Sequence, residues 1–264
     1  MAKSAAAAAS ILKDVRALLE ARADEREAVK EGKANGKSKG GALQPRSPLK
    51  ALGVKPSFVR SIAREIQTKN RPAMDYGAAV ALMDAAVSRK VREEILVALD
   101  VLERHRKDFA AGLFSHVEKW SSVAEDLEVA EALGARVAAP ALGLEPAKIN
   151  VLRKWARLRS VGKRRLAVLA AVGLVSDGRR EAPAVLELAE LLLHEDHPAM
   201  VSAVASLLRE TTKVDAKAVQ DFLFRRSVDG NPDILRAGSE NLDAARRAAL
   251  IAKLEAQAAL VATT

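Results

Sequence analysis

Apolar residues recur along most of this chain at the spacing of three and four that lines one face of a helix. Ile11, Val15, Leu18 and Leu19 share such a face within the stretch from about Ala5 to Lys30, which predicts an N-terminal helix within residues 1–30. From Pro56 onward the same period returns in short segments, punctuated at Pro72, Gly112, Pro140, Pro146, Gly178, Pro183, Pro198 and Pro232. No segment alternates with the period of two that a half-buried strand requires. Helices beginning near Arg89, Ala147, Ala184, Lys217 and Asp243 predict helix pairs of irregular spacing. Such pairs cannot bury both their faces alone. The expected architecture is therefore all-α, a HEAT-like helical repeat solenoid over residues 51–264 with a concave basic face, forming a single domain overall.

Between these regions, residues 31–50 carry Gly32, Gly36, Gly40, Gly41, Pro45 and Pro48 among lysines. That composition buries too little apolar surface to order itself and predicts a flexible basic linker, either a solvated spacer or an arm against DNA. Over the whole chain of 264 residues the formal net charge is +9, which favours a polyanionic partner without choosing between nucleic acid and an anionic membrane. No cysteine is present, so disulfides, thiolate metal sites and cysteine nucleophiles are excluded. Charges at Lys13, Asp14 and Arg16 interrupt the first apolar run, and no uncharged stretch approaches a membrane span, so a cytoplasmic location is expected.

Several stretches, in order, resemble those of the AlkD-type DNA alkylation repair glycosylases. The first is Gly53-Val54-Lys55-Pro56-Ser57-Phe58-Val59-Arg60-Ser61-Ile62-Ala63-Arg64-Glu65-Ile66. Tyr76 to Arg106 follows, then Trp155 with Arg164-Arg165-Leu166-Ala167-Val168, then Val201 to Glu210 with Lys213 and Val219 to Leu223. The resemblance spans roughly Gly53 to Leu223 and implies a HEAT-like repeat enzyme acting on duplex or damaged DNA, without cofactor or metal and as a monomer.

At the place where that family carries a Trp and, four positions on, an Asp, this chain has Leu127 and Glu131, with Glu128 between them. The resemblance thus implies Glu131, supported by Glu128, as the catalytic carboxylate that stabilises an oxocarbenium-like sugar and orients water. Two further family aromatics are replaced by Gly162 and Ser206, which removes cation–π attraction for a cationic alkylated base. The basic turn made by Lys154, Arg157, Arg159, Lys163, Arg164 and Arg165 falls where the family holds the DNA backbone, and a helix N-terminus there would add donors for phosphate. Arg60 and Arg64 form a second basic face, equally readable as solvated. His194, Glu195, Asp196 and His197 lack zinc-type spacing, and no metal is expected. His105 and His116 read as surface or packing residues, and Trp120 and Trp155 as core anchors before stacking platforms. Three readings stay open: an alkylpurine glycosylase, a non-catalytic DNA binder on the same scaffold, and a protein-interaction scaffold.

Overall fold

The computed structural model describes residues 2–23, 47–71, 73–176 and 179–262. Most of the segment expected as a basic linker lies outside the described residues, as do 24–30 of the first predicted helix and the punctuation at Pro72 and Gly178. The described chain is all-helical, its one bridge between extended residues being an isolated parallel pairing of Lys50 with Val91. Its contacts divide it into two compact units, residues 1–141 and 142–264.

In the first unit, α1 (Ala2–Glu20) buries Ala8, Ile11, Leu12, Val15 and Leu19, one stripe at helical spacing. It packs on α2 (Pro56–Lys69), α3 (Tyr76–Arg89) and α4 (Arg92–Glu103). α4 is the centre of the unit, since every residue from Arg92 to Leu102 is buried, including Arg92, Glu93, Glu94 and Asp100. Charges on a helix buried on all sides need partners, and each finds at least one. Glu93 Oε1 accepts backbone N–H groups from Leu52, Gly53 and Val54 at 2.8, 2.9 and 3.4 Å. Gly53 has φ +73°, a left-handed conformation that glycine adopts at no steric cost, which gives the Gly-Val-Lys phrase its physical role. Glu94 lies between Arg16 of α1 and Arg89 of α3, at 3.3 and 3.2 Å.

α5 (Leu113–Trp120) and α6 (Leu127–Leu133) complete the unit. After α6 the helix widens into a π turn at Gly134–Ala138 and resumes as α7 (Ala139–Leu144), inside which the boundary between the units falls. Pro140 was expected to break the chain's helical course. Instead, the π turn immediately before it loosens the backbone where the proline ring would meet the preceding turn.

The second unit contains α8 (Ile149–Ala156), α9 (Val161–Ala171), α10 (Ala182–Glu190), α11 (Pro198–Thr212), α12 (Ala216–Arg226), α13 (Pro232–Gly238) and α14 (Ala244–Ala262). α9 packs on α8 and α11, and α11 in turn on α10, α12 and α13. Pro183, Pro198 and Pro232 sit in first turns, where the missing N–H costs no helical hydrogen bond. No described helix is long and apolar enough to cross a membrane.

Candidate functional site

α6 owes its position to one buried carboxylate. Asp126 caps the helix, with Oδ1 accepting from the N–H groups of Glu128 and Val129, both at 3.1 Å. Its Oδ2 accepts from Arg92 Nε at 2.7 Å and from the Ser47 hydroxyl at 2.7 Å. The Arg92–Asp126 pair is almost fully buried, so the first turn of α6 is tied to the central helix. Sequence reasoning passed over both residues, although an Asp directly before an apolar-periodic segment is an N-cap signal.

From this fixed start, Glu128 and Glu131 project at i and i+3 and line one cavity of about 370 Å³ with Leu96, Ala132, Ala135 and Arg136. Both glutamates are exposed to solvent. The surrounding protein nevertheless strips enough water from Glu128 to raise its carboxyl above the ordinary glutamate range; Arg92 opposes the shift, and Asp126, Glu93 and Glu131 reinforce it. Arg136, in the π turn, reaches back to pair with Asp100 of α4 and lies 3.8 Å from Glu103. Leu127, which stands where the resemblance places a tryptophan, is half-buried and does not line the cavity.

The cavity continues along α4. Leu96, Glu128 and Arg136 also line a smaller adjoining space with Pro56, Val59, Arg60 and Asp100. Arg60 and Asp100 in turn line a third, of about 280 Å³, with Arg64, Glu103 and Arg104. The three spaces share lining residues and so follow one another along α4, from Glu131 to Arg64.

The residues of the basic turn belong to the second unit. Lys154, Arg157 and Arg159 are exposed, while Lys163, Arg164 and Arg165 are partly buried. Arg164 holds the turn in shape: its Nη1 donates to the carbonyls of Leu158 at 2.9 Å and Arg159 at 2.7 Å, and it pairs with Glu195. Arg165 donates to the Ala199 carbonyl at 2.5 Å. Ser160 caps α9 by accepting from Lys163 N–H at 3.1 Å. Gly162 is buried in the first turn of α9, and Ser206 is half-buried on α11.

Three of the four histidines and both tryptophans have structural partners, while His194 is exposed. His197 caps α11 through Nδ1, which accepts from Ala199 N–H at 3.2 Å, and neighbouring Glu195 is engaged by Arg164. His105 lies 3.3 Å from Gln67, and His116 packs against Trp120. Trp120 and Trp155 are buried in the cores of their units, as expected, with Trp120 Nε1 donating to Asp84 at 2.7 Å. No group of three or more potential ligands able to hold a metal ion occurs among the described residues.

The arrangement available in the first unit is an open cavity with two carboxylates, beside spaces lined by arginines together with Asp100 and Glu103, and carboxylates so placed can stabilise a developing positive charge. Comparison with curated proteins returns no match. The family model described as DNA alkylation repair enzyme matches residues 15–242, and the chain belongs to that family.

Proposed function

We propose that this protein binds damaged DNA and hydrolyses the N-glycosidic bond of cationic N3- or N7-alkylpurines. The observation that carries the reading is the joint placement of Glu128 and Glu131 on one solvent-open cavity, on a helix whose start is fixed by Asp126. An alkylated purine already bears a positive charge, so the C1′–N bond breaks with its electron pair returning to the base, which leaves neutral. Positive charge then develops on the sugar, where Glu131 stabilises it and orients a water. The water oxygen bonds C1′ and its proton passes through the carboxylate to solvent. Glu128 adds a second negative charge to the same wall. In the second unit, Lys154, Arg157, Arg159 and Lys163 are offered to phosphates, with Arg164 and Arg165 bracing the turn that presents them.

The test is release of 7-methylguanine from methylated duplex DNA by the full chain, with Glu131→Gln alongside. Release above the spontaneous rate, lowered on the order of 100-fold by the substitution, is expected. Release no faster than in buffer removes the glycosylase reading. A second reading, DNA binding without chemistry, is favoured by the cavity wall itself, which among the described residues contains no aromatic side chain to face a cationic base. It predicts salt-sensitive binding of the same duplex with no base released.

A further inference from the structure

The cavity beside α6 carries charge of both signs. Glu128 and Glu131 stand toward one end of its wall and Arg136, in the middle of the π turn, at the other, with Ala132 and Ala135 between them. These positions share one helical face over about two turns, and the alanines leave its middle open. Arg136 is the one cation on that wall among the described residues. It is held without being buried: a third of its side chain is exposed, Nη1 pairs with Asp100, and Glu103 lies 3.8 Å from the same nitrogen. Its Nε and Nη2 donate no hydrogen bond among the described residues. The wall therefore offers acceptors at one end and guanidinium N–H groups at the other.

Cleavage of a glycosidic bond moves charge in the matching direction. As the C1′–N9 bond of an N7-alkylguanine breaks, its electron pair returns to the purine, positive charge passes to the sugar, and electron density rises on O6. We propose that Arg136 is the leaving-group residue of this site, donating from Nε or Nη2 to O6 of the departing guanine while the glutamates face the cationic sugar. The inference rests on the proposed glycosylase reading and gives it a substrate preference. Such a hydrogen bond strengthens as the base gains electrons, so it stabilises the transition state more than the bound substrate. Asp100 fits the arrangement, because a guanidinium already paired with a carboxylate repels an incoming cationic purine less than a bare one does. A 3-alkyladenine carries an amino group where guanine carries O6. Two donors facing each other form no bond, so that lesion gains nothing from Arg136.

The experiment measures single-turnover release of 7-methylguanine and 3-methyladenine from one methylated duplex by the full chain, each relative to its spontaneous rate. Wild type, Arg136→Lys, Asp100→Asn and the double variant Arg136→Met with Asp100→Asn are compared, and a melt checks that each is folded. The double variant removes the donors without leaving a buried carboxylate unpaired. In it, 7-methylguanine release should fall about tenfold at an unchanged half-saturating protein concentration, while 3-methyladenine release stays within about twofold of wild type. Arg136→Lys, which keeps N–H donors, should retain part of the preference for 7-methylguanine, and Asp100→Asn alone should retain it as well. Loss of both bases in equal proportion in the double variant, or 7-methylguanine release unchanged there, would overturn the inference while leaving the glycosylase reading intact. A wild-type protein that releases neither base above its spontaneous rate would overturn both.

Discussion

Glu93 shows how much of this molecule depends on single buried carboxylates. One oxygen gathers three backbone N–H groups ahead of α2, fixing the entry of the helix that carries Arg60 and Arg64. Glu93→Ala should cost about 3 kcal/mol in urea unfolding, because three donors lose their acceptor, while Glu93→Gln, which keeps an oxygen there, should cost less. Glu128 makes a prediction of the opposite sign. Its carboxyl is raised chiefly by loss of water, so the folded state binds protons more tightly than the unfolded one. Stability from this source is full below the ordinary glutamate value of 4.5 and is lost as pH climbs through the raised one. Glu128→Gln should therefore melt at a higher temperature than wild type at pH 7 and lose that advantage near pH 4. At this scale the sequence was only partly legible. Glu128 and Glu131 were found through resemblance, but nothing in the local pattern around Arg92 and Glu93 marks them as buried, because their partners lie about 30 to 40 positions away.

Elements were easier to read than the contacts between them. Starts expected near Arg89, Ala147, Ala184, Lys217 and Asp243 correspond to helices beginning at Arg92, Ile149, Ala182, Ala216 and Ala244. Proline in first turns and caps such as Asp215 and Asn231 supply local signals for such boundaries. The π turn carried no such signal: Pro140 read as a stop, and the structure passes it by widening the helix just upstream. Arg136, which pairs with Asp100 of α4, lies within that turn. α6 is the element most exposed to a single change. Asp126→Ala removes its cap and deprives buried Arg92 of this partner, so a loss of about 3 to 5 kcal/mol is expected on chemical denaturation. Asp126→Asn, which retains an acceptor for the cap, should lose less.

For the molecule as a whole, the net charge of +9 pointed to a polyanion, and family membership accords with DNA. What charge could not reveal was which cations are committed internally. Arg164 and Arg165 stand in the densest basic cluster of the sequence yet spend their donors on the carbonyls of Leu158, Arg159 and Ala199. Arg60 and Arg64, spaced like any solvated helix face, have none of these attachments. Sequence spacing records how many charges are near one another; only folding assigns their partners.

The division into two units has a practical consequence through the chain's two tryptophans. Trp120 is buried in the first unit and Trp155 in the second, so each unit contains its own intrinsic fluorophore. A Trp155→Phe protein reports optically on residues 1–141, and a Trp120→Phe protein on residues 142–264. If the units unfold as one, the two emission transitions coincide in denaturant; if they unfold independently, the midpoints separate. The effect of DNA on each unit's stability can then be followed by colour, without an added label.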